Sequence, residues 1–191
     1  FGRFIKDAKY EQLETSVAAN DPIAYQAVIS AQQSGASIII SDKGICPKGC
    51  FGCDSGGTYV NDDTDKITYG VVPGFPEQNC VRCRWFVTGP AFLPGLVHHF
   101  NTIGYNMGET GKRLIKYQHD IELLEDEKYE CELTKPPTIF TKKDELLKYE
   151  QYHKQEIQKN DKLANDYNAT LRLIDKCMKL IKETSSDDGL Q

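Results

Sequence analysis

The chain has 191 residues, of which 39% are hydrophobic and 27% are charged, and this composition argues against a disordered protein. The formal net charge of −5 argues against a protein that coats DNA through a broad basic face. No segment has the length and apolar character of a membrane span, and the first 30 residues lack the apolar core of a signal peptide. Because the sequence opens on Phe-Gly-Arg-Phe without a methionine, we expect further sequence upstream.

The N-terminal part is predicted to form two helices followed by a short strand. The first helix spans Asp7–Ala19, and the second starts with Asp21 as its N-cap and Pro22 in its first turn. Gly35 is predicted to cap the second helix, and Ile38–Ile40 is predicted to be a buried strand because three β-branched residues follow one another. The predicted inward positions of the helices are Ala8, Leu13, Val17, Ile23, Ala27 and Val28.

The most informative stretch contains five of the seven cysteines, namely Cys46, Cys50, Cys53, Cys80 and Cys83. Two cysteine clusters separated by about two dozen residues are typical of a structural zinc site. Cys80 and Cys83, which have two residues between them, supply one half of that site, and two of Cys46, Cys50 and Cys53 supply the other half. Seven is an odd number of cysteines, which argues against the disulfide framework of a secreted protein. Clustered thiols in a reducing compartment point to metal binding instead, so we expect a cytoplasmic protein.

The first cluster also matches the spacing of an iron–sulfur site. Cys46, Cys50 and Cys53 have the spacing found in radical S-adenosylmethionine enzymes, and they follow a predicted strand. However, Gly52 stands where those enzymes usually carry an aromatic residue, and the rest of the chain lacks the alternating strands and helices of a partial barrel. We therefore favour zinc in a closed site of four cysteines, whose role is structural rather than catalytic.

A small β-hairpin is predicted between the two cysteine clusters. Its strands are Thr58–Val60 and Lys66–Tyr69, and its turn contains three aspartates, Asp62, Asp63 and Asp65. The turn lacks the Gly and the closing Glu of a calcium loop at their expected spacing, which favours a solvated turn over a calcium site.

The second cluster is followed by charged and apolar residues that suit a metal site. Arg82 and Arg84 are predicted to offset the excess negative charge of four thiolates. His98 and His99 are further candidate ligands, but adjacent side chains on a helix point in different directions, and the end of an amphipathic helix explains them better. Nearby apolar side chains are predicted to complete the core of the metal module: Trp85, Phe86, Phe92, Leu93, Val97 and Phe100.

The C-terminal half is predicted to be an antiparallel helical hairpin. After short helices that begin near Pro90 and Pro94, one long helix spans about Asn106–Glu132 and a second spans about Thr141–Glu183, with Pro136-Pro137 between them. The predicted apolar stripes are Leu114, Tyr117, Ile121 and Leu124 in the first long helix and Leu163, Tyr167, Leu171, Ile174, Met178 and Ile181 in the second.

Polar residues interrupt the seam of this hairpin. His153, Glu156 and Asn160 stand where a continuous apolar seam would have hydrophobic residues. Cys131 and Cys177 lie on the long helices and are expected to be buried as small apolar residues. The length of the helices favours self-association or contact with a partner protein. No nucleophile elbow, P-loop, zinc-protease helix or dinucleotide fingerprint occurs, so no catalytic residue is assigned.

The cysteine stretch carries a resemblance to a known family. It reads G-I-C-P-K-G-C-F-G-C-D-S-G-G and then Y-G-V-V-P-G-F-P-E-Q-N-C-V-R-C-R-W-F-V-T-G-P-A-F-L-P-G-L. Over about residues 40–105 it resembles the C-terminal part of the prophage integrases of mobile genomic islands, tyrosine-recombinase-like proteins that include the integrases of gamma-mobile-trio elements. The resemblance implies Cys46, Cys53, Cys80 and Cys83 as the zinc ligands and leaves Cys50 as the alternative ligand.

The resemblance also implies DNA integration or recombination for the whole protein, but not the chemistry for this chain. A tyrosine recombinase needs a nucleophilic tyrosine with an arginine and histidine cluster around the phosphate. The chain has five arginines and no His-x-x-Arg sequence, so the catalytic domain is expected upstream of Phe1. The part described by this sequence is then an accessory domain that contacts DNA or partner subunits.

The sequence as a whole predicts a mainly α fold, with a small zinc-stabilised module of short β-strands and a long antiparallel helical hairpin. The predicted domains are residues 1–44 (helical segment and short strand), 45–105 (cysteine module) and 106–191 (hairpin with a frayed tail). The predicted function is that of an accessory zinc domain of a mobile-element integrase. The alternatives are a stand-alone zinc interaction module and an iron–sulfur enzyme.

Overall fold

The structure of the protein is a computed structural model that describes residues 9–61, 67–74 and 79–187. The described chain is mainly helical, with a long helical hairpin and small antiparallel sheets, as the sequence predicts. Its helices are α1 (Tyr10–Ser16), α2 (Ile23–Ser34), α3 (Leu93–Leu133) and α4 (Lys143–Asp187). Its strands are β1 (Ala18–Ala19), β2 (Ile39–Ile40), β3 (Ile45–Cys46), β4 (Tyr59–Asn61), β5 (Ile67–Tyr69) and β6 (Val87–Thr88).

The chain divides into two compact units. The first is drawn from Phe1–Asn101 and Asn168–Gln191, and the second is Thr102–Tyr167. The first unit therefore contains the cysteine stretch together with the last part of α4, and the second contains the closed end of the helical hairpin. No helix in the described ranges is both long enough and apolar enough to cross a membrane.

The first helix is shorter than predicted. α1 ends at Ser16, whereas the sequence pattern extends it to Ala19. Val17 has an extended backbone, with φ −135° and ψ 160°, and the two alanines that follow pair with β6 instead of continuing the helix. Leu13 and Val17 are buried as predicted, at 0% and 1% exposure, and the predicted inward position Ala8 lies outside the described residues. Pairing with a distant strand here outweighs the high helix propensity of alanine.

The second helix begins and ends as predicted. The carboxylate Oδ1 of Asp21 accepts a hydrogen bond of 3.0 Å from the backbone N–H of Ile23, and Gly35 closes the helix in a left-handed conformation, with φ 66°. Ala27 and Val28 are buried, which confirms those two inward positions. The prediction for Ile23 is wrong, because its place in the first turn leaves the side chain 38% exposed.

A four-stranded antiparallel sheet in the order β1-β6-β3-β2 joins the N-terminal helices to the cysteine stretch. Ile45 of β3 pairs with Val87 of β6, and both are buried at the middle of this sheet. Ile39 and Ile40 do form a strand, but the prediction that it is buried is wrong: they are 43% and 68% exposed because β2 is the edge strand. A run of three isoleucines indicates a strand without telling where in the sheet it lies.

The predicted hairpin between the cysteine clusters is present. β4 and β5 pair antiparallel, with Tyr59 opposite Tyr69 and Asn61 opposite Ile67. The three-aspartate turn, whose alternative interpretation is a calcium loop, lies outside the described residues.

The first long helix starts earlier than predicted. A 3₁₀ turn at Pro90–Phe92 leads directly into α3, which runs without interruption from Leu93 instead of beginning near Asn106. Proline in the first turn of a helix loses no intrahelical hydrogen bond, so Pro94 does not delay the start. Gly95 permits close packing at this start, since a Cβ there would overlap the backbone carbonyl of Asp42.

Within the second unit, the predicted stripe of α3 packs against α4. Ile121 and Leu124 form a small core with Leu146. The ring of Tyr117 lies 6.2 Å from the ring of Tyr149, measured between centroids. These contacts confirm the face of α3 that the three-and-four spacing predicts.

The polar interruption of the seam is also confirmed. Arg113 of α3 pairs with Glu156 of α4, with Nε–Oε1 and Nη2–Oε2 distances of 3.0 and 3.2 Å. His153, Glu156 and Asn160 are all half-buried, so these polar residues lie on the side of α4 that faces α3. A bidentate ion pair explains how charge is accommodated at a seam position.

The buried face of α4 in the first unit differs from the predicted stripe. Leu173 and Cys177, one turn apart, are 0% exposed, whereas the predicted Leu171 and Met178 are 37% and 42% exposed. Leu173 and Cys177 pack in one cluster with Leu96 and with residues around the second cysteine pair. The apolar periodicity of α4 fits both the predicted and the observed face, and the elements that the helix packs against determine which face is buried.

Candidate metal centre

The five clustered cysteines line a single small cavity in the first unit. Its volume is about 10 Å³, and its described lining consists of Cys46, Cys50, Cys53, Cys80, Cys83, Val72 and Phe86. None of these cysteines is in a disulfide. The fold thus brings together two clusters that are far apart in the sequence, as the zinc prediction requires.

Short backbone elements position the second cluster. Cys80 begins a 3₁₀ turn, and Cys83 closes that turn with a backbone hydrogen bond of 3.0 Å to the carbonyl of Cys80. The side-chain amide of Asn20 donates to the carbonyl oxygens of Val81 and Cys83, at 2.9 and 3.1 Å. The backbone N–H of Arg84 donates to the carbonyl of Gly56 at 2.8 Å, which ties this turn to the first cluster.

Asn20 was missed by the sequence reasoning. Its place before Asp21 and Pro22 indicates only a break between helices. Its bonds reach 61 and 63 residues along the chain, so no local pattern identifies this role.

The first cluster lies in a tightly turned loop. Gly49 and Cys50 both have left-handed backbone conformations, with φ 55° and 69°, and the conformation at Cys50 is unusual because that residue has a Cβ. Cys53 begins another 3₁₀ turn, and its carbonyl accepts a hydrogen bond of 2.8 Å from the N–H of Val72. The loop therefore turns the side chains of Cys46, Cys50 and Cys53 toward one space.

Gly56 keeps that space open on the side of the second cluster. A Cβ at Gly56 would lie 2.8 Å from the sulfur of Cys83 and 3.3 Å from Cβ of Val72. Any larger residue would displace the thiol or the wall of the cavity. Glycine at position 56 therefore provides room for a sulfur atom.

Burial and mutual repulsion oppose ionisation of the thiols. Burial, reinforced by Cys50, Cys46 and Cys80, raises the pKa of Cys53. Burial likewise raises the pKa of Cys80, with Cys46 and Cys50 adding to it and Lys43 opposing it. Burial raises the pKa of Cys83 to about 12, although the backbone N–H of Trp85 acts in the opposite direction. Thiolates in this cavity therefore need a cation to neutralise them.

Arg84 has an ion-pair partner and a stacking partner outside the group of clustered thiols. The guanidinium of Arg84 forms an ion pair with Asp21, with an Nη2–Oδ2 distance of 3.0 Å, and stacks over the ring of Tyr69 at 3.2 Å from its centroid. Its charge is thus directed at a carboxylate of the N-terminal segment. Lys43 is a cation that acts on a clustered thiol, because it lowers the pKa of Cys80, and no sequence pattern singles it out.

The chemistry of the cavity fits a small thiophilic ion, although the thiols are not drawn together around a centre. Among the described residues, no group of three or more His, Cys, Asp or Glu side chains is already arranged to hold a metal ion. The cavity nevertheless has room for about one water-sized sphere, and its donor atoms are all sulfur. A set of four thiolates selects zinc or iron–sulfur chemistry over magnesium or calcium.

The remaining candidates lie away from this cavity. Of the described residues that line it, none is a histidine, so neither His98 nor His99 joins the thiols. Cys177 is buried as expected, and burial raises its pKa to about 11. Cys131 lies on α3 in the second unit and is half-buried.

The described fold offers no support for the iron–sulfur enzyme. The strand pairs in the described ranges are antiparallel, whereas a partial barrel of the radical S-adenosylmethionine type has parallel strands. Cys80 and Cys83 share the cavity with the three-cysteine loop, whereas an iron–sulfur cluster held by three cysteines does not require this second pair.

Comparison of the chain with protein-family models, with curated proteins and with solved structures finds no match. The resemblance to prophage integrases therefore remains an expectation from the residues alone.

Proposed function

We propose that the first unit is a structural zinc domain in which Cys46, Cys53, Cys80 and Cys83 are the ligands. The observation that supports this proposal is the convergence of both cysteine clusters on one cavity of atomic size. The bound ion would displace the protons of thiols that the fold alone keeps protonated, and it would neutralise the resulting thiolates.

The choice of four among five thiols rests on the family resemblance, which implies Cys46, Cys53, Cys80 and Cys83 as the ligands. Cys50 remains the alternative ligand, because it also lines the cavity.

A closed site of four cysteines leaves no position for a substrate, so the role of this ion is structural. It would join β3 and the loop after it to the turn that leads into β6 and α3. These elements contribute only short strands and 3₁₀ turns, and structural zinc commonly provides folding free energy in such small modules.

For the whole protein, we propose that this domain is an accessory part of a mobile-element integrase in the cytoplasm. The family resemblance supports that role. The hairpin of α3 and α4 supplies a long surface for contact with partner subunits, and a net charge of −5 favours protein contact over broad contact with phosphates. The catalytic residues would belong to sequence outside this chain. The alternative is a stand-alone zinc module that binds partner proteins.

Metal analysis of the purified chain and of single variants tests the zinc centre. We expect one zinc per chain, and we expect Cys80→Ser and Cys83→Ser each to lose the metal and to melt at lower temperature, because binding and folding are coupled. Cys131→Ser is the matched control and should keep both properties. A metal-free wild-type chain, or Cys80→Ser with full zinc and an unchanged melting temperature, would refute the proposal.

An excision assay tests the link to recombination. In the full-length protein, Cys80→Ser should abolish excision of the element, measured by amplification across the rejoined chromosomal junction. Cys131→Ser should leave excision unchanged. Normal excision by a full-length protein that has lost its zinc would leave the stand-alone module as the better account.

A further inference from the structure

The cavity holds five thiols, and the zinc centre proposed above uses four of them. The inference that follows rests on that proposed function and concerns Cys50, the remaining cysteine. Cys50 lines the same small cavity as Cys53, one of the proposed ligands, and a side-chain hydrogen bond links the two thiols.

The loop that carries Cys50 lies at the surface of the first unit. Cys50 is half-buried, and the next residue, Phe51, is 92% exposed. Cys50 also holds a left-handed backbone conformation, with φ 69°, that favours glycine. The thiol of Cys50 is therefore partly accessible, contacts the thiol of a proposed ligand, and is not one of the four proposed ligands. Such a thiol is suited to oxidation by a small molecule from solvent.

We propose that Cys50 makes the metal centre sensitive to hydroperoxides. The thiol of Cys50 attacks the peroxide, the O–O bond breaks, and Cys50 becomes a sulfenic acid as water leaves. The thiolate of Cys53 then attacks the sulfur of Cys50, an S–S bond forms, and hydroxide leaves. In total two thiol groups lose two electrons, and one hydrogen peroxide becomes two molecules of water once the hydroxide is protonated.

Formation of this disulfide removes one zinc ligand. The sulfur atom of Cys53 can no longer serve as a thiolate, and Cys46, Cys80 and Cys83 are left to hold the ion. We expect zinc to leave the site and the first unit to lose stability, because metal binding contributes to folding. A dithiol reductant reverses the step through thiol–disulfide exchange and restores zinc binding.

Peroxide-driven zinc release tests this switch. The zinc-loaded chain is treated with hydrogen peroxide, zinc release is followed with a chromogenic chelator, and the disulfide is located by mass spectrometry of non-reduced peptides. We expect the wild-type chain to release zinc with a Cys50–Cys53 disulfide, and Cys50→Ser to release it at least about tenfold more slowly. Cys50→Gly, which suits the backbone at this position, is the second variant, and Cys131→Ser is the control that should behave as wild type.

The outcomes separate this inference from the proposed function. A wild-type chain that holds no zinc before oxidation overturns the zinc centre and the switch together. If the wild-type chain holds zinc but both Cys50 variants hold none, Cys50 is a ligand, and the switch is overturned while the zinc centre stands. Release from both variants at the wild-type rate, or a disulfide between other cysteines, also overturns the switch alone.

Discussion

At Cys83, burial and the neighbouring thiols both raise the pKa of the side chain. The pKa of this thiol is raised to about 12, and those of Cys53 and Cys80 are raised as well. For an acid with a raised pKa in the folded state, the stabilising contribution to the metal-free fold is present below about pH 9 and is lost as pH rises through about 12. Zinc binding needs the opposite protonation state, so the ion must displace protons from these thiols.

Zinc affinity should therefore rise with pH across the neutral range. Each ligand proton released on binding contributes roughly a tenfold gain in affinity per pH unit. We expect at least about a tenfold tightening between about pH 6.5 and pH 7.5, measured by competition with a chelator whose own pH dependence is known. An affinity that does not change over this range would mean that protonated thiols are not the ligands.

Single residues differ in how well sequence predicts them. The spacing of the cysteines within the two clusters is sufficient to predict that the clusters meet, because clustered thiols at such spacings have few other uses. Which two of Cys46, Cys50 and Cys53 are ligands does not follow from that spacing. Asn20 contributes two hydrogen bonds to the same turn, but an asparagine before a helix has many local roles, and only the fold shows which carbonyl groups it reaches.

At the scale of elements, sequence predicts their presence better than their environment. The β4–β5 hairpin and both long helices follow from periodicity and turn residues. The strand at Ile39–Ile40 is present but exposed, because its place at the sheet edge depends on pairing between distant segments. The buried face of α4 likewise depends on which elements it covers.

Two leucine substitutions on α4 test which face of the helix is buried. Leu173→Ala should lower the free energy of unfolding by about 2–5 kcal/mol, because the side chain is fully buried and leaves a cavity. Leu171→Ala, two residues away and 37% exposed, should cost less than about 1 kcal/mol. Denaturant unfolding of the zinc-loaded variants measures both values. A larger cost at Leu171 than at Leu173 would restore the stripe predicted from sequence and contradict the observed packing.

For the whole molecule, composition predicts a structured chain and the structure confirms its mainly helical fold with small antiparallel sheets. What composition cannot predict is that the last part of α4 belongs to the same compact unit as the cysteine stretch. Leu173 and Cys177 pack in the cluster that contains Cys83 and Phe86, so the second long helix forms part of the wall around the proposed metal domain. The proposed metal domain and this end of the hairpin should consequently unfold together.

X-ray absorption at the zinc edge identifies the atoms that surround the metal in the proposed centre. We expect one zinc per chain, surrounded by four sulfur atoms at about 2.3 Å, with no nitrogen or oxygen in the first coordination shell. A shell that contains nitrogen or oxygen ligands, or iron with inorganic sulfide in place of zinc, would contradict this expectation.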